Sequence, residues 1–380
     1  MSSVHIIGGG VAGYTLAREL VRHNYAGTIT ISDPQGLPYD RPPLSKTLQA
    51  EPFAPAAWYA EHGISLLPEM VEDLPLPDSE DDWVVLATGT TPVLLQVPGA
   101  QHARTLHTAA DAAALAQVLD SSTFGLQVLV IGAGLIGAEF ASTAKMLGAQ
   151  VTLVSNTDAP LASVMGQDLA QQLHADHAQH GIRTITGAVA SIEADHAVVD
   201  GERLDAELIV SAIGVQPETS LATTLGLGID DGIVVDGEQR SPSHRQVLAI
   251  GDAARVQGAR RAVHWEAAME DAAQAAATVM KAAPVQRSVP WFWTDRHEMH
   301  VETVGEFSQA ATTIIRRNRR GKIQTVFGLD HGGTLVAASM VDGGLMAKAV
   351  KRLIARGITP SIEQLEDPSV GPRELGRNER

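Results

Sequence analysis

The chain has 380 residues, 44% of them hydrophobic and 19% charged, with a net charge of −16 and no cysteine. That length exceeds what one hydrophobic core usually supports, so two or three domains are expected of a soluble globular protein. The negative charge argues against a nucleic-acid partner, and the missing cysteine excludes disulfides, a redox-active Cys pair, Cys-ligated zinc and a chain-held iron–sulfur cluster.

Residues 4–7 are a short apolar run that reads as a buried strand, followed by Gly8, Gly10 and Gly13 in G-x-G-x-x-G spacing. An amphipathic helical pattern over 14–24 and a second strand over 28–32, ending at Asp33, complete a βαβ opening. Residues 127–131, then Gly132, Gly134 and Gly137, a helix from 138 and a strand over 150–154 repeat the same order. The first glycine of such a phrase permits a tight turn, the second lets backbone approach a pyrophosphate, and the third lets helix and strand pack closely. The phosphates then sit at the helix N-terminus, where free N–H groups and the helix dipole favour negative charge. One copy is a weak signal; two copies in strand–turn–helix context indicate two bound dinucleotides. An acid about 20 residues past the glycines binds a ribose hydroxyl, and Asp33 answers for the first unit. The second strand ends in Val154, Ser155 and Asn156, with neither an acid nor an arginine for a 2′-phosphate. Gly137 favours NADH, with NADPH possible.

Further along, His174, His177 and His180 stand at i, i+3 and i+6. That spacing drifts around a helix, so a polar face is expected rather than a metal site. From 287 onward, four alternating stretches (300–306, 311–317, 323–330 and 335–341) and a helix over 344–357 predict an antiparallel sheet closed by a helix. This last part carries +3 against −19 for the rest, with basic clusters at 316–322 and 348–352 that read as solvated surface or as a docking patch for an acidic protein. No run of 18 apolar residues occurs, and the N-terminal apolar residues belong to a motif rather than to a signal peptide, so a cytoplasmic protein without membrane insertion is expected.

Four more phrases complete the pattern: 37–46 (LPYDRPPLSK), 84–92 (VVLATGTTP), 210–219 (VSAIGVQPET) and 247–256 (VLAIGDAARV). With 289–295 (VPWFWTD), they resemble the FAD-dependent pyridine nucleotide-disulfide oxidoreductases, specifically the NADH-dependent ferredoxin reductases that serve Rieske oxygenases and bacterial P450s, close to rubredoxin reductases. The resemblance runs from residue 4 to about 370. It implies an α/β fold of the glutathione-reductase type, with two Rossmann-like domains and a C-terminal α+β domain. The implied divisions are 1–107 with 229–286 for FAD, 108–228 for NAD(P), and 287–380 for the C-terminal part.

The resemblance further implies that Gly8, Gly10, Val11, Ala12, Gly13 and Asp33 hold the adenosine diphosphate of FAD, while Arg41 and Lys46 reach its pyrophosphate and flavin. Ala87, Thr88, Gly89, Gly251, Asp252 and Trp265 would line the FAD, with Trp293 close to the isoalloxazine. Gly132, Gly134, Leu135, Ile136, Gly137, Ser155 and Gly214 would bracket NAD, and Glu139 would pair with Lys46 beside flavin and nicotinamide. Lys46, Glu139 and Trp293 are thus the expected catalytic group, no metal is expected, and a [2Fe–2S] ferredoxin or rubredoxin would take the electrons from a monomer or dimer. Rival readings are an NADH oxidase or small-molecule reductase, and a slowly turning redox sensor similar to apoptosis-inducing factor. The sequence departs from the family pattern at Pro34, Ala267 and Asp271 and in a short stretch between Gly63 and Gly89, which could weaken FAD binding or expose a sheet edge.

Overall fold

A computed structural model describes residues 2–77, 79–121 and 125–376. Among them, six helices of ten or more residues frame the fold: α1 (Val11–Arg22), α2 (Ala109–Ser121), α3 (Leu135–Met146), α4 (Gln167–Gln179), α5 (Trp265–Val279) and α6 (Leu345–Ala355). The first sheet is parallel and five-stranded, in the order Val247–Ala249, Asp82–Leu86, Ser3–Ile7, Thr28–Ser32, Ile64–Leu67. A parallel sheet needs cover on both faces, and apolar side chains of its strands are buried on both. On one face α1 and α5 pack together, burying Leu16, Leu20, Ala272 and Ala275 against Ile6 and Val85. The other face is covered by Leu221, Leu227 and Val235.

The second sheet is parallel too, ordered Arg183–Thr186, Gln150–Ser155, Gln127–Ile131, Leu208–Ser211. A three-stranded antiparallel meander (Val189–Ile192, His196–Val199, Glu202–Asp205) covers one of its faces. α2 and α3 contribute Leu115, Leu119, Phe140 and Ala144 to the core on the other. Thr90–Pro92 and Val215–Pro217 pair antiparallel and join the two halves where the chain crosses between them.

The C-terminal sheet is antiparallel in the order Trp291–Arg296, Met299–Gly305, Leu335–Val341, Ile323–Leu329, Thr312–Arg317, with α6 packed on it. It has one strand more than its alternating stretches predict. The run WFWTDR lacks an apolar–polar alternation and nonetheless pairs along its whole length with Met299–Gly305. No helix among the described residues is long and apolar enough to cross a membrane.

Of three further expectations, the structure leaves one standing and corrects two. The shortened stretch carries no strand between Leu67 and Asp82, but Val71, Leu74 and Leu76 pack against Ile7, Leu86 and Val247. It covers a sheet face, while Ile64–Leu67 remains the outermost strand, paired among the described residues only with Thr28–Ser32, so the edge expected to be exposed has no strand partner; Asp78 lies outside the described residues. The histidines of α4 are not a solvated face: His177 is wholly buried and His174 nearly so, because the hairpin turn at His297 covers them. Nor is the basic cluster at 316–322 all surface. Arg316 is 2% exposed and donates to the carbonyls of Leu365 (2.8 Å) and Val370 (3.1 Å), with its guanidinium over the Phe327 ring. Lys322 reaches back to Asp176 of α4 at 2.9 Å.

Candidate active site

Both glycine turns have the geometry their spacing predicts. Gly8 and Gly132 adopt φ of +111° and +104°, and a Cβ there would strike the Ala87 carbonyl at 2.2 Å and the Ala212 carbonyl at 2.4 Å. Only glycine tolerates both the left-handed backbone and that approach. Gly13 and Gly137 hold helix against strand, since a Cβ would meet Gly8 O at 2.0 Å and Gly132 O at 1.9 Å. Gly10 and Gly134, the N-caps of α1 and α3, face open space and have no side chain bonded over the helix end. Unsatisfied N–H groups at an uncapped helix start suit a phosphate, and a Cβ at either position would fill the cradle.

The two turns open into one cavity of about 980 Å³. Of the residues singled out from sequence, Gly8, Gly10, Val11, Ala12, Asp33, Arg41, Lys46, Ala87, Thr88, Gly89, Asp252, Trp265 and Trp293 line it, as do Gly132, Gly134, Leu135, Ile136, Glu139, Ser155 and Gly214. Gly13, Gly137 and Gly251 lie behind the wall and act through packing. A Cβ on Gly251, whose φ is +68°, would meet that of Ala12 at 2.9 Å.

Glu139, in the first turn and a half of α3, joins three parts of the chain. Its Oε2 accepts Ser45 Oγ–H (2.5 Å) and Lys46 Nζ (2.7 Å) from the short helix Pro43–Lys46. Its Oε1 accepts Thr294 Oγ1–H (2.7 Å) and the Asp295 N–H (3.1 Å) from the C-terminal sheet. Four donors on a carboxylate that is 4% exposed leave it no lone pair for taking a substrate proton. It is a holder of Lys46, whose ammonium also faces Asp295 at 3.7 Å. Thr143, one turn further on, donates to the Ser45 carbonyl at 2.8 Å and pins the same loop to α3.

At the first glycine turn, Asp33 accepts the Gly9 N–H at 2.6 Å and the Gln35 N–H at 2.8 Å, which fixes its carboxylate at the crevice edge. Arg41 lies 2.6 Å from His107 Nε2, itself 2.6 Å from the Thr90 carbonyl. Burial, and then the Arg41 charge, push His107 down to about 4, so it is neutral beside the guanidinium. Burial drives the Asp252 carboxyl up to about 6, against the pull of Arg41 and Arg261. Trp265 Nε1 donates to Asp40 at 3.0 Å, and burial raises the Asp40 carboxyl despite that bond. Trp293 stands between two rings: edge-on to Trp265 at 6.0 Å and stacked on Trp291 at 5.0 Å.

Ser45, Thr294, Asp295, His107 and Asp40 belong to this site and were not singled out from sequence. Ser45, Asp40, Thr294 and Asp295 sit inside phrases already recognised (LPYDRPPLSK and VPWFWTD), which was the available signal; nothing in its neighbours marks His107.

Comparison with known proteins agrees with this geometry. The family model described as pyridine nucleotide-disulphide oxidoreductase matches residues 2–272, and a reductase C-terminal model matches 291–375. Rhodocoxin reductase of Rhodococcus erythropolis is 32% identical over 96% of this chain and 92% of its own. The ferredoxin--NAD(+) reductase component of the anthranilate 1,2-dioxygenase system of Burkholderia cepacia is 31% identical over 96% of this chain and 97% of its own. Among solved structures, the reductase in a covalent putidaredoxin reductase–putidaredoxin complex superposes with a TM-score of 0.89 at 26% identity, covering 98% of this chain and 97% of that one. With two glycine turns on one cavity and matches across both parts of its length, the chain belongs to the pyridine nucleotide-disulphide oxidoreductase family, with the C-terminal domain of its reductases.

Proposed function

We propose that this protein is a flavin-dependent NADH:ferredoxin reductase, passing electrons from NADH through FAD to a small [2Fe–2S] protein that feeds an oxygenase. The carrying observation is the single cavity into which both glycine turns open, with the Lys46–Glu139 pair between them. In this reading 1–107 with 229–286 forms the FAD part, 108–228 the NADH part, and 287–380 covers both, in a cytoplasmic enzyme. FAD supplies the chemistry of accepting an electron pair from NADH and releasing the electrons singly.

The chain's own residues bind, orient and exclude water. The α1 N-terminus with Gly10 would take the FAD pyrophosphate, Asp33 a ribose hydroxyl, and Asp252 and Trp265 the flavin side; Arg41 adds a cation over the phosphates. The α3 N-terminus with Gly134, Leu135 and Ile136 would take NADH, Ser155 its ribose, and Gly214 the far wall. Lys46, held by Glu139, places one positive charge where the two crevices meet. Glu139, with four donors on its carboxylate, holds Lys46 against the C-terminal sheet. Trp293 shields the meeting point and, stacked on Trp291, leads outward. With no cysteine in the chain, no internal disulfide can receive the electrons, which favours an external carrier.

The test is anaerobic titration of the purified protein with NADH and NADPH, watching flavin absorbance, followed by cytochrome c reduction with and without a ferredoxin. Bleaching by NADH and ferredoxin-dependent reduction are expected. A colourless protein that FAD cannot reconstitute overturns the reading. Rapid NADH consumption without a carrier would favour an oxidase, and a long-lived charge-transfer band with slow turnover a redox sensor.

A further inference from the structure

α5 carries an acid, Asp271, that is 7% exposed and lies one layer beneath the cavity wall. Its Oδ2 accepts the Gly251 N–H at 3.1 Å, and Gly251 begins the tight turn Gly251–Ala253 that presents Asp252 to the cavity. Its Oδ1 accepts Gln239 Nε2 at 3.1 Å and pairs with the Arg287 guanidinium. The turn packs closely on α1 and α5, since a Cβ added to Gly251 would meet Ala12 and Ala268 at 2.9 and 3.5 Å. The Asp271 hydrogen bond adds a directional constraint that sets the turn's orientation.

Arg287 belongs to the stretch between α5 and the C-terminal sheet, and that stretch is moored to the same helix at two more points. Gln274 accepts the Val285 N–H and Glu270 accepts the Ser288 N–H, both at 2.9 Å. Glu270, Asp271 and Gln274 fall on neighbouring positions of one helical face. The face that supports the Asp252 turn is thus the face that holds the start of the C-terminal part. A neutral amide at 271 could accept the Gly251 N–H but could not pair with Arg287.

We infer that Asp271 and Arg287 are positioning residues for the flavin nucleotide: together they aim the Asp252 turn at the cavity and tie its orientation to the connection into the C-terminal sheet. This rests on the reading of Asp252 as a flavin-side contact. Asp271 also sets the charge around Asp252. The groups facing that carboxyl are Arg41 from the loop before the short helix Pro43–Lys46, Arg261 from the loop before α5, and Asp271 from α5. The two cations favour ionised Asp252, and Asp271 opposes it unless Arg287 neutralises it.

The experiment measures FAD affinity of the whole protein between pH 5 and 8, by recovery of free-FAD fluorescence. Asp271→Asn, Arg287→Met, the double variant and Asp271→Ala are compared with wild type. Asp271→Asn keeps an acceptor and removes the opposing charge, so the acid limb of the profile moves down by roughly half a pH unit. Burial raises the Asp271 carboxyl and Arg287 holds it down, so Arg287→Met exposes the charge only in the upper part of the range, where Asp271 is ionised; there it moves the limb up, and the double variant returns to the Asp271→Asn profile. Asp271→Ala strands the Gly251 N–H and weakens FAD binding about tenfold across the range. Opposite shifts in the two single variants are what mere loss of packing would not produce. If wild type and variants bind FAD with one common profile, or both single variants shift the same way, the inference fails while the flavin reading stands. If wild type takes up no FAD, both fall.

Discussion

The two glycine-turn units share one local grammar and live in different surroundings. α1 leaves Arg22 exposed and Val11, Tyr14, Arg18, Glu19 and Val21 half-buried, and buries Ala12, Leu16, Ala17 and Leu20 against the sheet and α5. α3 is buried without a break from Gly137 to Ala144, because the loop bearing Ser45 and Lys46 packs on one side and the strand Trp291–Arg296 on another. The first helix needs only its nucleotide, its sheet and α5, all within one part of the molecule. The second doubles as the post to which the other two parts are fastened, through Glu139, Ser142 and Thr143. The difference predicts that damage to α3 spreads across the molecule, whereas damage to α1 stays with one nucleotide.

Glu139→Ala is the sharpest way to break that comparison. It strands the Thr294 hydroxyl in a fully buried position and leaves Lys46 with only Asp295 at 3.7 Å. Removing one partner of a buried pair costs about 3–5 kcal/mol. Thermal unfolding should show it, together with a large loss of NADH-driven flavin reduction; Glu139→Gln, which keeps the shape, should lose less than half as much stability. A fully stable Glu139→Ala variant would remove the post from the account. Alanine at Gly13 or Gly137 comes next, each placing a methyl within 2.0 Å of a carbonyl oxygen. Each should cost about 3 kcal/mol. The discriminating measurement is which nucleotide is lost: FAD alone for Gly13→Ala, both nucleotides for Gly137→Ala.

Acid should separate the units as well. His297 and His177 are pushed down by burial to about 4 and about 2, from 6.5. Unfolded chains take up those protons below pH 6.5 while the folded protein stays neutral, so stability falls as pH drops from 6.5 towards 4. At pH 5 the loss is about 2 kcal/mol for each histidine. Asp252 in the first unit has the opposite sign: raised to about 6, its ionised form costs stability above that pH, and the cost fades on acidification. Hydrogen-exchange protection, taken relative to the intrinsic rate at each pH, should therefore fall first in α4 and the turn at His297 between pH 7 and pH 5. An equal fall in α1 and α5 would count against this account, as would a His297→Gln variant with an unchanged pH profile.

How far the sequence could foresee this site follows from the range of each force. The glycine turns were legible because steric exclusion acts within a few residues, and Gly8 and Gly132 have no alternative at their φ. The Lys46–Glu139 pair spans 93 positions and was reached through resemblance, not through spacing. Thr294 carries no local mark of its role, since a hydroxyl in a strand reads the same whether it meets water or a carboxylate. The histidines of α4 went astray for a related reason. A polar face at helical spacing does not say whether water or another part of the chain covers it, and here the cover comes from His297, 120 residues away from its partner His177. Arg316 was misplaced likewise, because its acceptors are carbonyls near the end of the described chain.

The smallest expected effect tests the comparison at its most local point. Gly8 N–H donates to Ser32 O and Gly132 N–H to Val154 O, each at 2.8 Å, so the residues that follow, Asp33 and Ser155, are structural equivalents. Asp33 accepts the Gly9 N–H, while Ser155 Oγ turns instead to the Thr157 N–H at 3.2 Å. Ser155→Asp should install in the second unit the carboxylate of the first, able to accept the Ala133 N–H and a ribose hydroxyl. A gain of about 1 kcal/mol, or several-fold in KM for NADH, is expected, with a larger loss for NADPH because the acid repels a 2′-phosphate. The reciprocal Asp33→Ser should weaken FAD by a similar factor. An unchanged NADH to NADPH preference in Ser155→Asp would mean that the nucleotide ribose does not lie at the end of strand Gln150–Ser155, and the likeness between the two units would then stop at their glycines.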